Sequence, residues 1–441
     1  MTYHDEPPVI GELMEWCLKR PASQVGRSQR VPRLFHEFRD LINGKIPIVT
    51  VAGTSGKGTT CALLEAMLIE AGHVTGVYTK PHLNAFRERF RVAGREVPDS
   101  ELASHARSIR ERLQAFVDCY GQDFRPTLYE ALVLIAASIF THRGVTLAVF
   151  EAAVGGRSCA TSYLPSILSV LTSVDLDHQL ELGSTIEEIA RDKAGIAPPG
   201  GVLVVGAGVG PAARPIVLAE CATRHTRCVQ ADLVETDEPL TNGAGQIVRF
   251  SLEGSMRSVF IAFPGRHQAL NFASVLAATK LLYNMKLIPS MEAIRGVEGA
   301  RSPGRFEFVR GELSWLLDVA HNPASIASLI DTASRSLRND RLVGIVGATE
   351  RHDYRTIVNL LAQWGIPLGF CEGYPRAISA HRLLIEGGPC GDVLGLFRSP
   401  AHAVEHCLST ASLAGSTVLV TGSLFLVGQC RQELIRRGII R

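Results

Sequence analysis

The sequence predicts an α/β protein, with a mostly parallel sheet carrying a phosphate-binding loop and a smaller Rossmann-like domain at the C-terminal end. Three observations predict it. Short apolar, β-prone runs alternate with longer amphipathic runs along most of the 441 residues, the order expected of a parallel sheet covered on both faces. The first β-prone run, Ile46-Pro47-Ile48-Val49-Thr50-Val51, leads straight into Ala52-Gly53-Thr54-Ser55-Gly56-Lys57-Gly58-Thr59-Thr60, a glycine-rich turn that opens a helix. A second alternating series restarts after the Gly-, Pro- and Ser-rich stretch 299–305, which has the composition of a hinge.

Each element follows from the pattern of apolar residues. Runs of strand length stand at 48–52, 74–78, 147–151, 167–172 and 202–205, and segments of helix length fit between and after them at 59–71, 99–116, 127–143, 185–194 and 212–224. The greasiest run, 131–140, is well short of the ~18 residues that span a bilayer and ends in His142-Arg143, so it reads as a buried helix. Polar and apolar residues alternate over 230–262 around Thr241-Asn242-Gly243, the pattern of an antiparallel hairpin appended to the sheet. A long helix is expected at 267–284. Beyond the hinge the series is strand 315–319, helix 323–337, strand 342–347, helix 354–364, strand 368–371, helix 402–411, strand 417–421 and a terminal helix at 424–438. Gly206-Ala207-Gly208-Val209-Gly210 lacks an acidic partner at the spacing a dinucleotide site needs and reads as a turn. Trp315 and Trp364 read as packing residues.

Composition narrows the function classes. Hydrophobic residues make up 46% of the chain, ample for real cores, and the length suits two or three domains. With 45 basic and 43 acidic residues the net charge is +2, which provides no polycationic face for nucleic acid. The ten cysteines are scattered without a Cys-x-x-Cys pair, several of them in apolar runs, and so read as reduced thiols rather than a disulfide framework or zinc site. The opening residues Met1-Thr2-Tyr3-His4-Asp5-Glu6 have neither the basic start nor the apolar core of a signal peptide. A cytoplasmic, monomeric enzyme without nucleic-acid or membrane partners is expected.

The glycine-rich loop is the strongest chemical signal. Its backbone N–H groups and the following helix N-terminus favour oxyanions, Lys57 can reach β- and γ-phosphates, and Thr59 or Thr60 offers a hydroxyl. Glu151 ends a buried strand, where carboxylates of doubly wound sheets face the ligand crevice; it can hold a hard cation, or cap a loop, or pair with Arg157. Asp175-Leu176-Asp177-His178 ends the next strand, which makes His178 a metal-ligand or acid/base candidate, with solvation on the surface the plainer reading. Lys193, taken alone, reads as a surface lysine.

In order along the chain these motifs resemble the folylpolyglutamate synthase and dihydrofolate synthase family of the Mur-ligase superfamily. The resemblance rests on Gly53 to Thr59, Thr79-Lys80-Pro81-His82-Leu83 with Phe86-Arg87-Glu88-Arg89, and Glu151 with Gly155-Gly156-Arg157. It continues through Asp177-His178, Asp192-Lys193-Ala194-Gly195-Ile196, and Gly265-Arg266-His267-Gln268 with Asn271. In the C-terminal part it rests on Pro303-Gly304-Arg305, Asp318-Val319-Ala320-His321-Asn322-Pro323 and Thr421-Gly422-Ser423-Leu424. The resemblance implies a P-loop domain of the Mur-ligase central type over 1–298, a hinge at 299–305 whose closure would assemble the site, and a Rossmann-like domain of the Mur-ligase C-terminal type over 306–441. It implies a ligase that uses ATP and Mg²⁺ to join an amino acid, by default L-glutamate, to a small-molecule carboxylate through an acyl phosphate. By the same resemblance Gly53, Thr54, Ser55, Gly56, Lys57, Gly58, Thr59, Asn271, Arg305 and Asp318 hold ATP. Glu151, His178 and a carbamylated Lys193 hold metal, Lys57, Lys193 and His321 serve catalysis, and Lys80, Cys159 and Ser423 face the substrates.

Three places depart from the family pattern. Lys80 stands where the family usually has a serine whose hydroxyl reaches the first Mg²⁺, and a protonated lysine cannot ligate it. Gly156-Arg157-Ser158-Cys159-Ala160-Thr161-Ser162 replaces G-R-x-D-A-T-N, so Cys159 takes the place of an aspartate that helps recognise the pterin. The stretch 23–30 does not follow the family's pterin-side loop. The ATP machinery is closer to the family than the acid pocket, and a non-pterin carboxylic acid stays open as the alternative substrate.

Overall fold

The computed structural model describes residues 7–21, 26–42, 44, 46–240, 243–338, 340–350, 353–387 and 392–440. The chain forms two compact units, Met1–Val234 with Ala269–Ala300, and Glu235–Gln268 with Arg301–Arg441. One crossing from the first unit to the second lies at Ala300 and Arg301, inside the hinge-like stretch. Segment 235–268, grouped in sequence terms with the P-loop domain, belongs to the second unit.

The first unit is built on an eight-stranded sheet. In chain order its strands are β1 (Ile48–Ala52), β2 (Thr75–Tyr78), β3 (Phe90–Val92), β4 (Arg95–Glu96), β5 (Leu147–Glu151), β6 (Ser166–Ser173), β7 (Val202–Gly208) and β8 (Arg227–Gln230). Their spatial order is β4-β3-β2-β5-β1-β6-β7-β8, antiparallel only where β3 meets β2 and β4. The expected strands are all present within a few residues. The departure is at β7, which runs on through Gly206 to Gly208 instead of turning: a Cβ on Gly206 would lie 2.6 Å from the Leu171 carbonyl oxygen, so glycine there admits close backbone approach.

Helices cover both faces. Leu128–His142 is buried along most of its length and begins with a capping box of Thr127 and Glu130, and its Phe140 packs edge-on to Phe150 of β5 with ring centroids 5.5 Å apart. Two helices not marked in the sequence, Pro8–Leu18 and Arg27–Glu37, complete this core with Leu13, Trp16, Leu34 and Phe35. The second is fastened by Arg30, whose guanidinium makes a bidentate pair with Glu130, both side chains 1% exposed. Breaking such a buried pair by removing one partner costs about 3–5 kcal/mol. Of the 23–30 stretch, residues 23–25 lie outside the described residues.

The second unit holds two sheets. β9 (Glu235–Thr236), β10 (Gln246–Leu252) and β11 (Ser255–Ile261) form a three-stranded antiparallel sheet of their own, rather than an appendage of the large one. Its tight turn is Glu253-Gly254, both at positive φ, which matches the twist of a two-residue hairpin. Gly243 precedes β10, while Thr241 and Asn242 lie outside the described residues. The other sheet contains β12 (Glu307–Val309), β13 (Ser314–Leu317), β14 (Arg341–Val346), β15 (Leu368–Cys371), β16 (Val393–Phe397) and β17 (Ser416–Thr421), ordered β12-β13-β17-β14-β15-β16 and parallel except for β12. The expected helices at Pro323–Ser336, Tyr354–Gln363, Pro400–Ser409 and Leu424–Arg436 are present; β12, β16 and helix Ala380–Glu386 are additional. No described helix is long and apolar enough to cross a membrane. The nine described cysteines are all free thiols, most of them buried.

Candidate active site

In the first unit the parallel register sets the site. Val51 pairs with Glu151, Tyr78 with Phe150 and Ala52 with Leu171, so β1, β2, β5 and β6 end side by side at one edge of the sheet. Each strand then delivers its own group: β1 the glycine-rich loop, β2 Lys80, β5 Glu151, and β6 the turn with Asp177 and His178. Ligands of open parallel sheets bind at this end.

The glycine-rich loop is tightly held. Gly56 caps helix Lys57–Glu70 in the left-handed region, φ 84°, and a Cβ there would lie 2.1 Å from Oδ1 of Asn271. Asn271 is thus brought onto the loop, although it stands 215 positions later, from 56 to 271. Residues of β6 and its end, which sequence reasoning did not single out, hold the loop from the other side. Thr172 Oγ1 donates to the Ser55 carbonyl at 2.5 Å, the Ser55 amide donates to Ser173 Oγ at 2.9 Å, and the Thr54 amide donates to the Ser173 carbonyl at 3.0 Å. Thr59 is buried in the first turn of the helix. Lys57 Nζ donates to the carbonyls of Gly53 (2.7 Å) and Thr54 (3.0 Å), curling over the loop. Burial pushes its pKa down to about 7, with Lys80 adding repulsion and Glu151 opposing it.

Glu151 is 4% exposed, and one of its oxygens, Oε2, accepts the Lys80 backbone N–H at 3.1 Å. The Lys80 side chain is half-buried; burial lowers its pKa, and Glu151 is the strongest opposing influence, ahead of Cys159 and Asp177. The loop that carries it is shaped by Glu88, whose carboxylate accepts the amides of Leu83, Asn84 and Ala85 at 2.7–2.8 Å. The F-x-E-R motif was the available signal for Glu88. Arg89 donates to His82 Nδ1 at 2.9 Å, and burial followed by Arg89 drives His82 down to about 3, so this imidazole is neutral.

His178 sits at φ 52° with Nε2 3.7 Å from Asp177 Oδ2; partial burial lowers its pKa, leaving a ring nitrogen free to coordinate. Lys193 is not the surface lysine its local sequence suggests. It is 2% exposed and, among the described residues, makes no side-chain hydrogen bond or ion pair; burial lowers its pKa against the pull of Asp177 and Asp192. Its neighbour Asp192 was missed: it accepts the Gly156 amide at 2.7 Å and the Ser158 hydroxyl at 2.7 Å, stitching the helix Ile186–Ala194 to the loop after β5. Arg157 pairs outward with Glu220 and not with Glu151. Cys159 is 3% exposed, and its sulfur accepts from the Ala153 amide and the Thr161 hydroxyl, each at 3.1 Å.

Among the described residues no three His, Cys, Asp or Glu side chains cluster closely enough to enclose a metal unaided. The donor set therefore fits an ion taken mainly by phosphate oxygens and water, with Glu151 and a neutral His178 as protein ligands, which is the habit of Mg²⁺. An ammonium at Lys193 cannot contribute an oxygen; a carbamate there can.

The second unit presents its own set at the ends of β13 and β17. Asp318 is fixed by the amides of Phe306 and Ala320, both at 2.8 Å, and burial raises its pKa while Arg305 opposes the rise. Asn322 caps helix Pro323–Ser336, and His321 beside it contacts the Val319 carbonyl through Nδ1 at 2.8 Å. Ser423 follows β17, 3% exposed, with its hydroxyl beside that of Tyr374. Arg305, Asp318, His321 and Ser423 are thus all carried by the segments that enter or leave this sheet.

Residues 304–424 match the family described as the glutamate ligase domain of Mur ligases. The chain is 30% identical over 427 residues to dihydrofolate synthase/folylpolyglutamate synthase of Bacillus subtilis (strain 168), across 95% of this chain and 94% of that protein. It is likewise 30% identical over 398 residues to the Escherichia coli (strain K12) protein of the same name, across 88% and 87%. Among solved structures, Mycobacterium tuberculosis folylpolyglutamate synthase complexed with ADP aligns with a TM-score of 0.83 at 25% identity, covering 96% of this chain and 98% of that one.

Proposed function

The chain belongs to the folylpolyglutamate synthase/dihydrofolate synthase family, and from that premise we propose that it joins L-glutamate to a folate-type carboxylic acid at the expense of ATP. The observation that carries the proposal is the arrival of the glycine-rich loop, Glu151, His178 and buried Lys193 at the same end of one parallel sheet. The acid's carboxylate attacks the γ-phosphorus of ATP, ADP leaves, and the resulting acyl phosphate loses phosphate when the glutamate amine adds and the tetrahedral adduct collapses. Such transfers need charge neutralisation and alignment more than covalent help.

Lys57, together with the amides of Gly53 to Thr59, holds the triphosphate, and Asn271 lies against that loop. Arg305 and Asp318 are further candidates for nucleotide binding, Asp318 being held by backbone amides in the posture of a fixed acceptor. Glu151, His178 and a carbamylated Lys193 would hold Mg²⁺, which would supply Lewis-acid stabilisation of the transferring phosphoryl group. His321 and Ser423 face the incoming amino acid, Ser423 with a buried hydroxyl beside Tyr374. A second reading, a non-pterin carboxylic acid, is favoured by one observation: Cys159 presents a sulfur already shared by two donors where an aspartate would accept pterin N–H groups.

Release of ADP and phosphate with glutamate and either dihydropteroate or tetrahydrofolate, followed by mass analysis of the product, tests the proposal. One glutamate added per ATP hydrolysed is the expected result. Turnover with neither acid, but with another carboxylate, transfers the activity to the second reading. Glu151→Gln and His178→Ala are each expected to lower Mg²⁺-supported turnover by about 10²-fold or more while moving Tm little, because neither side chain fastens the core. Two kinetically silent variants would remove these residues from the metal site.

A further inference from the structure

Three lysines converge on the crevice of the first unit. Lys80 lowers the proton affinity of both Lys57 and Lys193, Lys193 lowers that of Lys57, and the carboxylates acting on them are Glu151, Asp177 and Asp192. The placement of Lys80 follows from the backbone. β2 is hydrogen-bonded to β5, Tyr78 is paired with Phe150, and the chain leaving β2 gives its residue-80 amide to Glu151 Oε2 at 3.1 Å. This bond fixes the Cα of Lys80 beside the carboxylate and engages one of its two oxygens. The loop cannot swing Lys80 away cheaply, because the Glu88 carboxylate gathers the three amides at 83–85 and Arg91 ties the far end to Glu65 at 2.8 Å. A lysine on a fixed stem beside a buried carboxylate, next to a phosphate loop, is a cation already in position.

We propose that Lys80 acts as a tethered cation at Glu151, replacing charge that a divalent ion would otherwise bring to the nucleotide phosphates, so that this protein binds ATP with a shallow dependence on Mg²⁺. The inference rests on the ligase reading and deepens it at the same site. A serine at position 80 would leave Glu151 facing the phosphates with no permanent cation beside it, and the triphosphate would then depend on bound metal to offset repulsion between like charges. With lysine, the side chain leaves a Cα held beside Glu151 by the 3.1 Å amide bond, and its ammonium offsets part of the carboxylate charge facing the phosphates before metal arrives. Position 80 therefore determines how steeply nucleotide affinity follows free Mg²⁺.

Calorimetric titration of the full chain with β,γ-methylene-ATP, first in EDTA and then across a series of free Mg²⁺ concentrations, tests the inference without turnover. The unsubstituted protein is expected to bind the analogue in EDTA within about tenfold of its affinity in saturating Mg²⁺. Lys80→Ser and Lys80→Gln should lose about tenfold or more in EDTA and recover as Mg²⁺ rises, whereas Lys80→Arg, which keeps the charge, should hold the shallow dependence. Use of both Ser and Gln guards against a packing defect, since Gln keeps most of the aliphatic stem. Superimposable Mg²⁺ profiles for the unsubstituted protein and both neutral variants would overturn the inference while leaving the ligase reading intact. Failure of the unsubstituted protein to bind the analogue at any Mg²⁺ concentration, with Lys57→Ala equally inert, would overturn the ligase reading and the inference together.

Discussion

Replacing Lys57 by alanine is expected to lower ATP-dependent ligation by about 10²–10³-fold, the usual loss when one preorganised charge at a phosphoryl or oxyanion centre is removed, while leaving the fold in place. The structural basis is specific. Lys57 Nζ is held by the Gly53 and Thr54 carbonyls, neutral acceptors of the loop itself, and by no carboxylate among its described hydrogen bonds. The loop keeps its shape through other contacts, those of Thr172 and Ser173 with residues 54 and 55, so the alanine variant retains a formed but uncharged cradle. Melting curves should therefore nearly coincide while turnover collapses.

The same residue gives a pH signature. Burial holds the free protein's Lys57 down to about 7, whereas phosphate oxygens beside the ammonium restore its proton affinity. Above pH 7 the free lysine is largely neutral and the bound one charged, so nucleotide binding takes up a proton, and affinity should fall as pH rises beyond that value. Calorimetry in buffers of different ionisation enthalpy reads this uptake directly, and Lys57→Ala should abolish that part of it. Near-normal turnover in the alanine variant, or uptake unchanged by it, would remove Lys57 from the phosphate site.

How much of this was legible in the sequence depends on the distance over which each contact acts. The strand ends were readable because apolar runs stop where the sheet stops: β1, β5 and β15 begin and end as the pattern predicts. The glycine-rich loop was readable because its chemistry is local. The two N-terminal helices were not, since Pro32 sits inside one of them and their stability comes from burial against the helix Leu128–His142 and from the Arg30–Glu130 pair, across 100 positions. The same reason hid the role of Asp192, whose partners Gly156 and Ser158 lie more than 30 positions away. Gly206 was misread as a turn because a close approach of neighbouring strands and a turn both call for glycine, and only the register of β6 against β7 separates them. The hairpin read around Thr241-Asn242-Gly243 is borne out by β9 and β10, which pair antiparallel on either side of it, whereas the tight turn Glu253-Gly254 between β10 and β11 was not legible, because its first residue is a poor choice for a positive φ.

Lys193 is where local sequence was most misleading and where the second large effect is expected. Arg191-Asp192-Lys193 has the polarity of a solvated helix end, yet the lysine is 2% exposed and finds no side-chain hydrogen bond or ion pair among the described residues. A buried ammonium in that state is costly, and its lowered pKa favours the neutral amine, the form that adds carbon dioxide to give a carbamate anion with loss of one proton. The anion would restore balance in a crevice that also holds Lys57 and Lys80, and would present oxygens to a metal. Lys193→Ala is therefore expected to lower turnover by about 10²-fold or more without lowering Tm, because the substitution removes an unpaired buried amine rather than a fastening contact. Acetate should restore part of the lost activity to the alanine enzyme, and ¹³C-bicarbonate should give the unsubstituted protein a carbamate resonance that the variant lacks. A structural role alone predicts the opposite pairing, a lowered Tm with no acetate rescue. An active enzyme that shows no labelled carbamate at saturating bicarbonate would leave Lys193 a plain buried lysine and assign the metal to Glu151 and His178 alone.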